Sequence, residues 1–211
     1  NKSIYLKYGF NYEQHLNILV DLTKGEEQLW NEVHSKRRNE IRRAKKEKSE
    51  FFLCDSEDDL MKCYSILESV YIRAKLPLPP YQFFYNLYKI KNQDIGLKLF
   101  CVKNQNKIIG CLLGLVYKNT IFDFYAGALK EYYKKYPNDL LPWEIFLWGI
   151  KNKYSTFDFG GAGKPDIPYG VRDYKKKFGG EIVEYGRYLN VHSPSLMRLG
   201  RLGLKIWKKI K

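Results

Sequence analysis

Several residue types that mark common protein classes are scarce in this sequence. It has four cysteines without a C-x-x-C pair, so it does not resemble a disulfide framework, and a reducing cytosol is the simplest setting. The three histidines, His15, His34 and His192, lack metal-ligand spacing, and we predict no metal site. No apolar run approaches the length of a membrane-spanning helix, and no signal peptide is visible. We therefore expect a cytoplasmic protein without a metal.

Acidic residues are also few. The 23 Asp and Glu face 37 Lys and Arg, which gives a formal net charge of +14. Such an excess attracts nucleic acid, anionic lipid or phosphate-bearing cofactors, although a merely solubilising lysine-rich surface is the alternative. The 211 residues, of which 45% are hydrophobic, suffice for one domain with a core.

Apolar periodicity and turn residues predict the order β-β-α-α-β-α-α-β-β-β-α-β-α-β-α. The predicted strands are Ile4–Phe10, His15–Leu22, Glu50–Cys54, Leu97–Lys103, Lys107–Tyr117, Thr120–Ala126, Thr156–Phe159 and Glu181–Val191. The first predicted helix begins after its cap, Thr23, and the next three are Lys36–Lys48, Asp58–Ala74 and Tyr81–Ile90. They are followed by a central apolar helix capped by Asn138, by Gly170–Phe178, and by a basic helix that begins at Ser193 or Ser195.

Antiparallel strands, then an apolar helix, then another strand resemble the arrangement of the GNAT (acyl-CoA N-acyltransferase-like) fold. We expect an α/β (α+β) domain with a mostly antiparallel mixed sheet flanked by helices, over residues 21–191. Residues 1–20 would be the tail of a preceding domain or strands added to the sheet, and 192–211 a basic amphipathic helix. The resemblance implies a sheet that splays open between the strands before and after the central helix, where acyl donors bind.

Four segments carry a closer resemblance, at residues 21–46, 76–84, 122–149 and 157–188. In the last, a strand ends in D-F-G-G, and a Gly-Val turn leads to an aromatic-Lys pair and F-G-G. These segments resemble the second domain of the Fem-type peptidoglycan bridge-forming aminoacyltransferases, and LPLPPYQFF at 76–84 is similar to Fem-like proteins of surface-polysaccharide gene clusters. Because Fem-type enzymes have two GNAT-like domains and the first residue is Asn1 rather than Met, we expect a missing N-terminal GNAT-like domain.

The resemblance implies an enzyme that transfers an aminoacyl group from charged tRNA to an amine of a peptidoglycan precursor or cell-surface glycan, at the inner face of the membrane, without a tightly bound cofactor. One departure weakens a muropeptide acceptor: Pro77 stands where the resemblance leads us to expect an arginine, which Arg73 would have to replace. The alternatives are an N-acyltransferase of surface polysaccharides fed by acyl-CoA or a carrier protein, and a non-catalytic module that binds RNA or membrane.

The resemblance also implies roles for residues. The Tyr174–Lys175 pair would face the donor near its terminal phosphates, and Tyr125 would line the acceptor cleft, as Tyr81 would on the same logic. Asp158 either accepts a proton or holds the following loop. The expected catalytic residues are Lys175, Tyr125 and Asp158, and the expected substrate-binding residues are Tyr174, Tyr81, Gly160, Gly161 and Lys164. A solvated Lys175 and a core Tyr125 are the alternatives.

Two motifs bear on the choice of donor. GAGKP is not a phosphate-binding Walker loop, because Asp158 and Pro165 occupy positions that need Gly and Ser or Thr. The segment before the central helix, EYYKKYPNDLLPWE, has no glycine, whereas acetyl-CoA enzymes of this fold carry a glycine-containing loop there for the pyrophosphate. The sequence therefore favours aminoacyl-tRNA over acyl-CoA as the donor.

Two basic helices complete the prediction. Lys36, Arg37, Arg38, Arg42 and Arg43 would contact tRNA phosphates, unless they bind lipid or are simply solvated. The last helix has Leu196, Leu199, Leu202 and Ile206 on one side and cations around the rest. It predicts either a peripheral membrane contact or docking on the missing domain.

Overall fold

A seven-stranded mixed sheet forms the centre of the molecule. The computed structural model describes residues 2–90, 92 and 95–210, and the side chains of these except 2 and 208–210. The sheet order is β3-β4-β5-β6-β7-β2-β8, and only β6 and β7 pair in parallel, while β1 and β9 form a separate antiparallel pair. The strands are β1 Asn11–Glu13, β2 Leu16–Asp21, β3 Glu50–Cys54, β4 Ile95–Asn104, β5 Lys107–Tyr117, β6 Thr120–Ala128, β7 Thr156–Gly161, β8 Glu181–Glu184 and β9 Arg187–Leu189. The predicted mostly antiparallel mixed sheet is confirmed.

Helices cover both faces of this sheet. The described helices are α1 Lys2–Lys7, α2 Gly25–Glu32, α3 Ser35–Lys46, α4 Glu57–Arg73, α5 Tyr81–Tyr88, α6 Pro137–Lys151, α7 Gly170–Lys176 and α8 Pro194–Ile210, with short 3₁₀ turns at Leu22–Lys24 and Lys130–Lys135. Side chains of β4 alternate between two hydrophobic clusters: Phe100 and Val102 join α2, α3 and α6, whereas Leu99 and Cys101 join α4 and α5. The apolar α6 is buried, as its sequence predicts.

Three predicted elements are wrong in detail. Lys2–Lys7 is helical rather than a strand, because pairing with β9 begins only at Asn11. The predicted strand Glu181–Val191 is two strands, since the backbone turns at Gly186, with φ of +67°, and β9 leaves the sheet to pair with β1. The cap of α6 is Tyr136 rather than Asn138, because Pro137 suits the first helical position, where no amide is needed.

The region expected to be a tail or added strands contributes to the sheet itself. β2 lies between β7 and β8 and pairs with both in antiparallel fashion. After it, Asp21 rather than Thr23 caps the following turn, since its carboxylate accepts the Thr23 amide at 3.0 Å. Residues 1 and 211, the outer limits of two predicted segments, lie outside the described residues.

The cysteines are clustered rather than dispersed. All four are free and buried, on β3, α4, β4 and β5. Within the described ranges, no group of three or more His, Cys, Asp or Glu could hold a metal ion, and no helix combines the length and apolar character needed to cross a bilayer.

Candidate active site

The site lies where β6 and β7 separate. These strands pair in parallel from Thr120 and Thr156 to Phe122 and Asp158, and no further residue pairs join them. At this point β6 has a bulge at Phe124, and the chain of β7 turns at Gly160, where φ is +68°. A Cβ at Gly160 would lie 3.1 Å from the Phe122 ring, so glycine allows this close approach. The predicted splay of the sheet is therefore present.

The separated strands open a cleft of about 470 Å³. Its walls come from the C-terminal end of α4, the first turns of α6, and α7, and its floor from β5, β6 and β7. Most of the lining is apolar or aromatic, and the charged groups in it are Asp123 on β6 and Lys175 on α7. A mostly apolar cleft with a few converging polar groups is typical of a ligand site.

Lys175 crosses from α7 to β7. Its Nζ donates hydrogen bonds to the carbonyl of Phe159 and, at 3.1 Å, to that of Gly161. Both carbonyls belong to the stretch of β7 beyond its last pairing with β6. The ammonium thus provides hydrogen bonds where the neighbouring strand has left, and the solvated alternative does not hold. An ammonium has three donors, so one remains beyond these two hydrogen bonds, and Lys175 lines the cleft.

Tyr174 holds the other wall of the cleft. Pro142 lies inside α6 and has no amide to donate to the carbonyl of Asn138, four residues earlier. The Tyr174 hydroxyl donates to that carbonyl at 2.5 Å. Adjacent residues of α7 therefore satisfy backbone carbonyls on the two elements that flank the cleft.

Asp123 is the carboxylate that faces the cleft. Its oxygens accept no hydrogen bond from the protein atoms of the described ranges, and burial raises its pKa to about 6, opposed by the charge of Lys175. Burial lowers the pKa of Lys175, while Asp123 and Asp158 oppose this change. An acid with such a pKa, beside an ammonium, is suited to proton exchange near neutral pH.

Asp158 is placed differently. Its carboxylate accepts the Gly160 amide at 2.7 Å and the Asn17 side chain at 3.2 Å, and it does not line the cleft. Burial raises its pKa, whereas these hydrogen bonds lower it. Of the two roles expected for Asp158, the geometry favours holding the turn at Gly160.

The other expected site residues lie outside the cleft lining. The β6 bulge brings Asp123 and Phe124 to the cleft side and turns Tyr125 away, into ring contacts with Phe84 at 5.0 Å and Phe124 at 4.6 Å. Tyr81 packs against Tyr64 at 5.6 Å. Lys164 is exposed on the loop after β7. A Cβ at Gly161 would lie 2.8 Å from Nε2 of His15, so a larger residue there would displace that ring.

Sequence reasoning missed Asp123, although a signal existed. The tripeptide Phe-Asp-Phe occurs twice, at 122–124 and 157–159, on the two strands that part at the splay. The expectation favoured the second copy because glycines follow it. A bulge on β6 cannot be read from the spacing of apolar residues, and this bulge decides which copy faces the cleft.

The basic surface of α3 lies beside the start of α6. Lys36, Arg42 and Arg43 are exposed, and Arg43 donates to the hydroxyl of Tyr136, the cap of α6, at 3.3 Å. The guanidinium of Arg42 lies over the Trp30 ring at 5.2 Å. Partly buried Arg38 donates to the Trp30 carbonyl at 3.3 Å.

Arg37 does not lie on the exposed basic surface where a contact with tRNA phosphates was expected. Its side chain is buried against α6, where it pairs with Asp139, and it also pairs with Glu40 at 2.9 Å. Its guanidinium also lies 5.4 Å from the centre of the Tyr174 ring. Because a buried, doubly paired cation offers no free charge at the surface, Arg37 supports the cleft wall rather than a nucleic-acid contact.

The start of α6 offers few free amides. Pro137 has none, and the amides of Asp139 and Leu140 both bind the Tyr136 carbonyl at 3.1 Å. Within the first turn this leaves the amide of Asn138. A pyrophosphate usually requires several convergent amides at a helix start.

A larger groove, of about 700 Å³, lies between α4 and the β4–β5 hairpin. Its three lysines have other partners: Lys62 binds Asp58 at 2.5 Å, Lys103 binds Glu50 at 3.2 Å, and the ammonium of Lys107 lies 5.0 Å from the centre of the Tyr132 ring. The smaller cleft is the better candidate, because it lies at the splay and contains the facing carboxylate and ammonium.

Comparison with known proteins agrees with this architecture. A family model described as an acetyltransferase (GNAT) domain matches residues 34–176. The structure of FemX superposes with a TM-score of 0.75 at 14% identity, covering 94% of this chain and 70% of that one. L-PGS from Bacillus licheniformis gives a TM-score of 0.66 at 16% identity, with 99% and 70% covered. A putative lysylphosphatidylglycerol synthetase C-terminal domain from Agrobacterium fabrum gives 0.66 at 16%, with 95% and 67% covered. None of the curated proteins compared matches the sequence. At these identities the likeness establishes the fold.

Proposed function

The chain belongs to the acetyltransferase (GNAT) domain family, and on that premise we propose that it transfers an aminoacyl group from charged tRNA to an amine of a peptidoglycan precursor or cell-surface glycan. The observation that carries this proposal is the cleft in which Asp123 faces Lys175 beside a helix start with few free amides. Transfer from an activated ester to an amine needs positioning, one proton acceptor and charge stabilisation, and this cleft supplies groups for each.

In the proposed reaction, the acceptor nitrogen attacks the ester carbonyl carbon at the 3′ end of the tRNA. The acceptor ammonium first releases one proton to water and attacks as a neutral amine, and the ionised Asp123 takes the second proton, which the nitrogen loses as the C–N bond forms. The ammonium of Lys175 stabilises negative charge on the carbonyl oxygen. When the ester C–O bond breaks, the ribose oxygen takes the proton from Asp123, which leaves an amide, a free tRNA end and an ionised carboxylate.

The choice of tRNA over acyl-CoA is supported by two features. The first turn of α6 leaves only the Asn138 amide free of bonds within that turn, which is a poor cradle for a pyrophosphate. The exposed cations of α3 lie beside the same turn, because Arg43 contacts Tyr136. A tRNA bound along α3 through its phosphates would therefore bring its 3′ end towards the cleft.

The similarity to FemX and L-PGS supports aminoacyl transfer in general, since this chain shares their fold. Arg73, which would have to replace the arginine expected at position 77, donates to the Tyr133 hydroxyl at 2.8 Å. We therefore favour a glycan amine over a nucleotide-linked muropeptide.

The decisive experiment compares donors on the wild-type chain and on Asp123→Asn. Binding of an amide-linked, non-transferable aminoacyl-tRNA and of acetyl-CoA would be measured at physiological salt, and transfer of a labelled amino acid from tRNA to amino sugars and to a peptidoglycan precursor would be followed in parallel. We expect tRNA to bind, and Asp123→Asn to reduce transfer by about 10²–10⁴-fold while tRNA binding persists.

Asp158→Asn is the matched control, because its carboxylate holds the Gly160 turn and does not line the cleft. It should lower transfer less than Asp123→Asn does. Tight acetyl-CoA binding with no preference for tRNA would refute the proposal and favour an N-acyltransferase of surface sugars. Binding of tRNA without transfer to any amine would favour a non-catalytic RNA-binding module.

A further inference from the structure

The last helix, α8, has two chemically distinct sides. At about 100° per residue, Leu196, Leu199, Leu202 and Ile206 fall within an arc of about 120°, and Arg198, Arg201 and Lys205 within a separate arc of about 60°. The sequence of α8, PSLMRLGRLGLKIWKKI, has five basic residues and no acidic one. Helices with this division between apolar and basic sides lie in the plane of anionic membrane surfaces.

The apolar side of α8 faces solvent. Leu196, Leu199, Leu202 and Ile206 are 68%, 63%, 55% and 49% exposed. A Cβ built on either Gly200 or Gly203, within the same helix, would meet nothing within 4 Å. Glycine in a helix interior costs about 1 kcal/mol relative to alanine. A helix with two such residues and an uncovered apolar side gains most of its stability only when another surface covers that side.

A second exposed apolar element lies next to the start of α8. On α1 and the turn after it, Ile4, Leu6 and Tyr8 are exposed. The side chain of Asn190, four residues before α8, donates to the Tyr8 carbonyl at 3.5 Å. The first ten residues also contain lysines and no acidic residue. The two ends of the described chain therefore present basic and apolar side chains near each other.

We propose that α8 is a docking element for an anionic membrane surface, with its leucines in the acyl region and its arginines and lysines at the lipid phosphates. Charge complementarity favours this occupant over a second protein domain, since cations beside an apolar stripe match the depth profile of a lipid leaflet. The inference rests on α8 and the neighbouring α1, and it stands whether or not the proposed transfer reaction is correct.

The test is co-sedimentation of the full chain with vesicles of phosphatidylcholine, with and without phosphatidylglycerol. The wild type should bind the anionic vesicles, and added salt should weaken this binding. Leu199→Asp with Leu202→Asp should weaken it more than about a hundredfold, because the variant no longer buries two leucine side chains in the membrane. Arg198→Gln with Arg201→Gln should weaken it about thirtyfold, since each cation near the surface contributes a factor of about five.

The matched control is Lys130→Gln with Lys134→Gln, which removes the same charge from exposed positions before α6. It should change binding less than about threefold, since screening limits the effect of distant charges. Thermal unfolding of all variants should match the wild type, because the substituted side chains are exposed. The proposal would be overturned if the leucine variant bound vesicles as the wild type does, or if its Tm were lowered. It would also be overturned if the wild type bound neutral and anionic vesicles equally. A chain that bound tRNA through α8 but did not bind the anionic vesicles would also overturn the proposal.

Discussion

Replacing Lys175 by methionine tests the structural role of its ammonium at the splay. The substitution keeps an unbranched side chain, one atom shorter, and removes the ammonium that binds the carbonyls of Phe159 and Gly161. These carbonyls lie on β7 beyond its pairing with β6, so that no strand of the sheet replaces the lost donor on that side. We expect loss of stability as well as loss of transfer.

The magnitude follows from the contacts. Each hydrogen bond to a charged group contributes about 1.5–3 kcal/mol, and relief of the buried charge offsets part of the loss. A net cost of about 2–4 kcal/mol remains. For a chain of this length, each kcal/mol shifts the Tm by about 2–4 °C. The Tm of Lys175→Met should therefore fall by about 5–15 °C.

Calorimetry and circular dichroism would measure the change, with Lys176→Met as the matched control. Lys176 is exposed on the same helix, and its substitution should alter stability by less than about 0.5 kcal/mol. Lys175→Arg retains a cation and should recover part of the lost stability. If Lys175→Met unfolded at the wild-type temperature, the argument that the ammonium replaces strand hydrogen bonds would be refuted.

Two further predictions concern the same cleft. Tyr174→Phe leaves the Asn138 carbonyl without the hydroxyl that Pro142 makes necessary, and should cost about 1–3 kcal/mol in chemical denaturation; an unchanged midpoint would show that water replaces the bond. Asp123 acts as a base only when it is ionised, so kcat/KM should rise as the pH passes through about 6. This rise with pH should be absent in Asp123→Asn and present in Asp158→Asn. The folded pKa exceeds the ordinary value of 3.8, so the Asp123 contribution to stability should fall as pH rises from about 4 through about 6.

The sequence predicts the parts of the fold that depend on local pattern. The strands of the β4–β5 hairpin alternate between two faces, and the apolar α6 lies between the sheet and α3. Elements at the ends of the chain were harder to predict, because their conformation depends on distant partners. The strand β1 exists through pairing with β9, and the ring of Tyr5 on α1 stacks on Tyr188 at 4.4 Å.

The candidate site could be predicted only in part, for the same reason. Lys175 and Tyr174 were expected to face the donor, and both do line the cleft, yet each also binds a backbone carbonyl of a neighbouring element. The burial of Arg37 cannot be read from a run of charges either, because it depends on Asp139, far along the chain.

These contacts determine which substitution tests the chemistry. Loss of transfer in a Lys175 variant would follow equally from a damaged splay and from a missing charge, because the same ammonium supports both. Asp123 has no such second role, since its oxygens accept no hydrogen bond from the protein atoms described. A variant that changes Asp123 to Asn keeps the shape of the cleft and removes only the charge and the proton acceptor. Its pH profile, rather than the activity of any Lys175 variant, therefore decides whether the cleft performs the proposed transfer.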